Sequence, residues 1–511
     1  MARRDDGERT TSGHPRCFYH RAKHRKPVPM THDTHDFPFW ISGQPKSSGR
    51  RLEIRSPYDA SPVGVTYEAT ADDLEAAIDA ASRAFSSCAR LSTFQRAEIL
   101  ARLIERVRTE QGTLARLIAL EAGKPIKLAR AETNRALGTL TDALEETKRI
   151  RGEWLPLDLD AGSAGRQAIV RRFPRGPVAA ITPYNFPLNL VVHKLAPVLA
   201  CGSTVVIKPA PQAPLSALFL TQLAVEAGAL PGSVNTLLCP VAIAQALVTD
   251  DRLKVLSFTG SAAAGWALKA KAGRKHTLLE LGGNAGVIIH SDADLDLAAA
   301  RCAAGGFSYA GQSCISVQRI LVQRSVFDSF TQKLLAAVAK LHVGDPLDEA
   351  TDVGPLISTA DAERVEGRLR AAVAGGARLL CGGDRDRALL SPAVLTATKP
   401  DMAVWCEEIF APVVAVEAYA DLPEAYARIN DSRYGLQAGL FTRDLDAAFA
   451  AFQQLEVGAL LLNDVPTYRA DVMPYGGVKD SGIGREGVRY AIEELTDRRT
   501  LILTSPNQAA S

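Results

Sequence analysis

Residues 177–209, PVAAITPYNFPLNLVVHKLAPVLACGSTVVIKP, set the pattern from which the rest of the chain is read. Two short apolar runs, 178–181 and 204–207, bracket a longer apolar segment. Similar runs follow at 234–238, 254–258 and 278–281, with helical patterns between them, such as 214–227 and 262–271. Short strands that alternate with helices pair in parallel as βαβ units, so the sequence predicts a doubly wound α/β sheet. A second alternating region predicts another α/β unit, from a strand at 318–323 through a helix at 326–341 to about residue 465.

Upstream of residue 177 the pattern is helical. Leu74, Ile78, Ala81, Phe85 and Cys88 share one face of a helix at 72–88. Thr70, with Asp73 three places on, supplies a capping-box start. A second helix is predicted over 94–122, stopped by Gly123 with Pro125 just beyond. Residues 151–172, polar and containing Gly162 and Gly165, read as a hairpin arm. An arm that cannot bury itself pairs with another subunit.

Composition narrows the function classes. Of 511 residues, 47% are apolar and 23% charged, which excludes a chain disordered throughout. The net charge is +2, yet residues 1–35 hold eight Lys/Arg against four Asp/Glu, so residues 1–36 read as a disordered basic tail. A nucleic-acid partner needs a basic face on the folded part, and only the tail is basic. No membrane span is expected, because Pro183, Pro187, Lys194 and Pro197 interrupt the most apolar stretch. The tail lacks an apolar targeting core, and Asp5, Asp6 and Glu8 speak against a transit peptide. The eight cysteines show neither a CxxC pair nor zinc-like spacing. Reduced thiols, a cytoplasmic location and no metal site are the expectation.

Several short clusters carry chemistry-bearing side chains. Gly260-Ser261-Ala-Ala-Ala-Gly265 follows the run at 254–258 and opens a helix, whose N-terminus favours an anion. It lacks the third glycine of the dinucleotide fingerprint, and a plain tight turn fits it as well. Lys208 ends the run at 204–207, where open parallel sheets bind ligands. Cys314, in Ala310-Gly311-Gln312-Ser313-Cys314, has small neighbours that leave a thiol accessible. Glu280, in Leu279-Glu280-Leu281-Gly282-Gly283, ends an apolar strand, where burial raises a carboxyl pKa towards base catalysis. Asn185, in Pro183-Tyr184-Asn185-Phe186-Pro187, offers an amide to a developing oxyanion. Taken singly, these four also fit a surface lysine, a buried cysteine, an ion-paired glutamate and a turn asparagine. The cluster Glu407-Glu408-Ile409-Phe410 and residues 474–482 carry no chemistry legible from spacing.

In order and spacing, however, these clusters resemble the NAD(P)-dependent aldehyde dehydrogenase superfamily over about residues 37–505. Gln312-Ser-Cys-Ile-Ser-Val-Gln-Arg319 and Met473-Pro-Tyr-Gly-Gly-Val-Lys-Asp-Ser-Gly482 resemble its lactaldehyde and succinate-semialdehyde branch. The resemblance implies the aldehyde-dehydrogenase fold: a Rossmann-type cofactor domain from 37–152 and 175–281, and a catalytic domain from 282–480. A β oligomerisation arm from 153–174, with 485–511, implies a homodimer or homotetramer. Cys314 would attack the aldehyde carbon and carry a thiohemiacetal, then a thioester. Asn185 and the Cys314 N–H would hold the oxyanion, Glu280 would activate the hydrolytic water, and Lys194 would orient groups or relay protons. Lys208 and Glu408 would hold the riboses of NAD or NADP, with Phe410 beside the nicotinamide ribose. Gly260 and Ser261 would face the pyrophosphate, and Thr182, Pro183 and Leu281 complete that site. Pro211 stands where many NAD-preferring members carry Glu, so use of both coenzymes is expected. Tyr184 for Trp, Gly286 for Pro and Ala411 for Gly are further departures from the family pattern.

For the substrate, Asn185, Asn189 and His193 are expected on one helix face, which by the resemblance lines the aldehyde tunnel; His193 also fits a residue that only packs against the tunnel wall, and Ser313, just before Cys314, is small and uncharged. Together they predict a short polar aldehyde, hydroxylated or carboxylated. Position 313 lacks the Arg often found in enzymes for phosphorylated aldehydes, so phosphate-bearing substrates lose ground. A CoA-acylating relative is disfavoured by Glu280, which such members typically lack. A non-catalytic protein on the same scaffold is disfavoured because Cys314, Asn185 and Glu280 are all present.

Overall fold

The computed structural model describes residues 36–505, so the expected tail, apart from Asp36, and residues 506–511 lie outside the described residues. Five strands, Val178–Ile181, Val205–Lys208, Val234–Thr236, Val255–Thr259 and His276–Glu280, pair in parallel. Their side chains are mostly buried, as strands covered by helices on both faces must be. Antiparallel Phe39–Ile41 and Gln44–Lys46 extend one edge and Gly482–Ile483 the other, making eight strands.

A second sheet of seven strands is built from residues 285–462. Its order is Arg378–Cys381, Ala393–Thr396, Val413–Tyr419, Val317–Gln323, Ala285–Ile289, Gln437–Phe441, Ala459–Leu462. All pairings are parallel except that of Arg378–Cys381. A third sheet joins Glu153–Pro156, Arg166–Pro174 and Thr496–Thr504 in antiparallel pairs. Trp154, Leu501 and Ile502 leave 60%, 58% and 57% of their surface exposed there.

The capping box at Thr70 and Asp73 forms and starts the helix Ala71–Arg90. The single helix expected over 94–122 is instead two, Thr93–Thr109 and Gln111–Ala122. At the break the Thr109 hydroxyl bonds back to the Glu105 carbonyl, and Gly112 follows. Back-bonding threonines bend helices, and glycine weakens them.

Helix Asn189–Cys201 is buried on every side, so its first N–H groups need protein partners. Glu132 Oε1, from helix Ile126–Thr147, accepts from the Leu188 and Asn189 amides at 3.0 and 3.1 Å. Glu121 does the same for helix Leu215–Glu226, through the Leu215 and Ser216 amides at 2.7 and 3.0 Å. A carboxylate at a helix N-terminus meets both the orphan donors and the positive dipole end.

The segment that follows Cys314 is fastened by its own polar side chains. Gln318 Nε2 donates to the Val404 and Glu407 carbonyls at 3.2 and 2.6 Å, while its Oε1 accepts from the Ile409 amide at 3.1 Å. Buried Arg319 donates to the carbonyls of Asn284, Arg428 and Ile429 at 3.1, 2.9 and 3.1 Å. Gly286 leaves room for Ile429, whose Cδ1 would lie 2.2 Å from a Cβ there. Replacing Gln318 by Met orphans two buried carbonyls and an amide, at about 1–3 kcal/mol each before relaxation. Gln318→Met is therefore expected to lower the thermal midpoint by several degrees; an unchanged midpoint would show that the staple carries no stability.

Candidate active site

Along the eight-stranded sheet the chain order reverses between Val178–Ile181 and Val255–Thr259. Ligands bind outside the carboxyl ends of parallel strands at such a reversal. Here the strands run out into Thr182-Pro183 and Gly260-Ser261, and the neighbouring strand into Leu281. A cavity of about 660 Å³ opens at this point and reaches Cys314. Cys314, Glu280 and Asn185 line it, as do Asn189 and Ser313. So do Pro183, Gly260, Ser261, Leu281, Glu408 and Phe410. Thr182, Lys208, Lys194 and His193 lie behind or beside the wall.

The backbone before the nucleophile is strained. Tyr309, Ala310 and Gly311 take φ of 50°, 53° and 68°, three left-handed residues in succession. Such φ costs a non-glycine residue of the order of 1 kcal/mol or more. The Tyr309 hydroxyl holds the turn by donating to the Ala122 carbonyl at 3.0 Å. At Gly311 a Cβ would sit 2.1 Å from the Ala411 carbonyl oxygen, so only glycine passes. Cys314 Sγ then lies 3.0 Å from the Tyr475 hydroxyl. Burial pushes the Cys314 thiol up to about 12, against the pull of that hydrogen bond. The free thiol is therefore protonated at neutral pH and needs a proton acceptor.

Glu280 lines the same cavity as Cys314. Both carboxylate oxygens of Glu280 are buried and have no hydrogen-bond partner among the described residues. Burial first, and then the negative charge of Glu486, push it well above the usual carboxylate range. Glu486 goes the other way: burial opposes ionisation, but Lys194, His193 and Arg469 bring it down to about 2. Lys194 Nζ lies 2.9 Å from Ser257 Oγ and 3.3 Å from Glu486 Oε1. Arg469 donates to Glu486 Oε2 at 3.1 Å, and its guanidinium stacks 3.7 Å over the Tyr475 ring.

Asn185 Nδ2 donates to the Gln312 carbonyl at 3.0 Å, which aims the amide at the nucleophile turn and leaves its second N–H for a ligand. Asn185 is not on the helix expected to carry it. That helix begins at Asn189, because Phe186 precedes Pro187 and is steered away from helical ψ. Asn189 and His193 do share the helix. Asn189 lines the cavity and accepts from the Thr139 hydroxyl at 3.2 Å. His193 does not reach the cavity, which corrects the expected direct contact. Its Nε2 lies 2.9 Å from Asp471 Oδ1 and 3.1 Å from Arg469 Nη2, so Arg469 stands where His193 was expected. Burial, and then Arg469, hold the His193 imidazole below its ordinary range, against the pull of Asp471 and Glu486.

The cofactor side can be tested on its polar atoms. Thr182 and Thr259 hydroxyls, at the two strand ends flanking the reversal, are buried and have no partner among the described residues. Ser261 caps the helix Ala262–Lys271, whose N-terminus faces the cavity. Free donors beside a helix N-terminus suit a pyrophosphate. Glu408 Oε1 accepts from the Gly283 amide at 3.0 Å, and burial lifts its carboxyl to about 7. Phe410, at φ 55°, meets Tyr184 edge-on with ring centroids 6.1 Å apart. The residues present fit a dinucleotide. Lys208 is half-buried one strand away from the reversal and does not line the cavity.

Sequence reasoning missed the cations of the cavity. Arg135, Arg301 and Arg469 line it. Arg135 pairs with both oxygens of Asp471, at 2.7 and 3.2 Å, and Arg301 pairs with Asp464. Lys124, buried and paired with Glu132, sits 3.7 Å over the Phe186 ring and is pushed down to about 8 by burial. These partners are 8 to 336 positions apart, beyond any local pattern.

Residues 44–501 match the model of the aldehyde dehydrogenase family. A 3-sulfolactaldehyde dehydrogenase from Priestia megaterium is 43% identical over 91% of this chain and 97% of its own. Aldehyde dehydrogenase 21 from Physcomitrella patens, solved in complex with the reaction product succinate, superposes with a TM-score of 0.90. It is 40% identical, over 92% of this chain and 98% of that one. Glyceraldehyde-3-phosphate dehydrogenase GapN from Methanocaldococcus jannaschii, complexed with NADP, gives 0.86 at 37% identity, over 89% and 99% of the two chains. With these matches along nearly its whole described length, the chain belongs to the aldehyde dehydrogenase family and is an NAD(P)-dependent enzyme of it.

Proposed function

We propose that the enzyme oxidises a short aldehyde bearing a fixed negative charge, a carboxylate or sulfonate, to the corresponding acid. One observation carries this reading. Arg135, Arg301 and Arg469 line the cavity that holds Cys314; Glu486, the partner of Arg469, lines it too, whereas Asp471 and Asp464, the counter-ions of the first two, do not. The cavity thus presents cationic hydrogen-bond forks to its contents, the arrangement that recognises a carboxylate or sulfonate. The sulfolactaldehyde and succinate in the names of the relatives carry such groups.

In the proposed mechanism the Cys314 sulfur attacks the aldehyde carbon, and its proton passes to Glu280. The Asn185 amide and the Cys314 N–H stabilise the oxyanion. The strand ends, Glu408 and Phe410 would hold NAD(P)⁺, which when bound would supply the hydride acceptor. Once Glu280 has released the thiol proton to solvent, its carboxylate takes a proton from the water that hydrolyses the thioester, and Lys194 fixes the charge on Glu486 beside it. In this assignment 37–152 with 175–281 serve the coenzyme and 282–480 the chemistry. The exposed apolar residues of the arm support a homodimer or homotetramer, which molar mass in solution distinguishes.

Cys314→Ala is expected to abolish oxidation, because no thiohemiacetal forms. Glu280→Gln is expected to give a burst of reduced coenzyme and then stall with the thioester in place, since nucleophile and base act in successive steps. Glu280→Gln turning over at the wild-type rate would remove the base assignment. For substrate class, Arg135→Met should lower kcat/KM for succinate semialdehyde about ten- to a hundredfold, the effect of losing a charged hydrogen bond, and leave hexanal unchanged. The panel is run with NAD⁺ and NADP⁺ in parallel, since Pro211 neither accepts from a ribose nor repels a 2′-phosphate. Equal losses for both aldehydes would contradict the anionic substrate.

A further inference from the structure

We propose that Tyr475 is a catalytic residue whose phenol donates a hydrogen bond to the Cys314 thiolate. The hydroxyl lies 3.0 Å from Cys314 Sγ, its one hydrogen-bond partner among the described residues. Tyr475 is 3% exposed and cannot swing away. Its backbone exchanges two hydrogen bonds with Glu486, at 3.0 and 2.7 Å, and Arg469 covers its ring face at 3.7 Å. The phenol is thereby aimed at the sulfur by the same two residues that settle the charge of the catalytic wall.

The chemistry follows from what else touches the sulfur. Among the described residues the Tyr475 hydroxyl is the side-chain hydrogen-bond partner of Cys314 Sγ, and the charge of Arg469 also favours the thiolate. An O–H donor stabilises the anion far more than the neutral thiol, and thus favours ionisation. Burial and the neighbouring Cys314 raise the Tyr475 hydroxyl far above its ordinary range, so the phenol keeps its proton and remains a donor. The guanidinium over the ring draws on the π face and strengthens that donation. The proton balance is simple. The thiol proton goes to the Glu280 carboxylate, and the phenol keeps its own. When the sulfur attacks, the C–S bond forms, the carbonyl π pair becomes the oxyanion, and the O–H···S contact weakens as charge leaves the sulfur.

This inference rests on Cys314 being the nucleophile, and its test is separable from that assignment. Carbamidomethylation of Cys314 by iodoacetamide, followed on the Cys314 peptide by mass spectrometry, is measured against pH. In Tyr475→Phe, which keeps the ring and its stacking, the inflection is expected to rise by about one pH unit, with a roughly tenfold loss of reactivity at neutral pH. With 3-fluorotyrosine at position 475, a stronger donor in the same volume, the inflection should fall. Packing alone would not produce opposite shifts from two near-isosteric side chains. An inflection unmoved in both variants overturns the role of Tyr475. Oxidation that survives in Cys314→Ala overturns the nucleophile assignment instead.

Discussion

Two buried carboxylates share two buried cations in the catalytic wall, and the sharing is unequal. Glu486 takes both, with Lys194 at 3.3 Å and Arg469 at 3.1 Å, and is held ionised. Glu280 has no hydrogen-bond partner among the described residues and is raised by burial and by Glu486 itself. An unpaired buried charge costs several kcal/mol, so the wall keeps one carboxylate charged and leaves the other able to hold a proton. Environments that push two similar groups apart in pKa define an acid–base assignment.

The same logic extends outward from the wall. Burial opposes ionisation of Asp471, yet His193 and Arg135 hold it well below the usual range. It can therefore anchor Arg135 at the cavity and meet His193 behind Arg469. Asn189, His193 and Lys194 sit on a helix whose other residues are mostly apolar and which is wholly buried, and Glu132 holds that helix at its N-terminus. The polar network is thus mounted on a rigid, water-excluded element. The left-handed turn before Cys314 and the Gln318 and Arg319 staples fix the other side of the cavity.

Much of this was legible because it is local. Strands buried on both faces write continuous apolar runs, so 178–181 and its partners were visible as a parallel sheet. Asn185, Glu280 and Cys314 sit in short clusters, and their order carried the family resemblance. The helix start was misread although Pro187 stood in the sequence to exclude Phe186 from it. The cationic lining was not legible at all, since Arg135 meets Asp471 across 336 residues and Arg301 meets Asp464 across 163. Tyr475 lay in a cluster that had been noticed, but only folding puts its hydroxyl beside a sulfur 161 positions away.

The unequal sharing between Glu280 and Glu486 is tested most directly by the pH dependence of thioester hydrolysis in a single turnover. In the wild type the hydrolysis rate should rise through an inflection well above the ordinary carboxylate range. In Glu486→Gln the like charge is gone and Lys194 and Arg469 are free to face Glu280, so the inflection should move down. An inflection that stays in place or moves up would contradict the account.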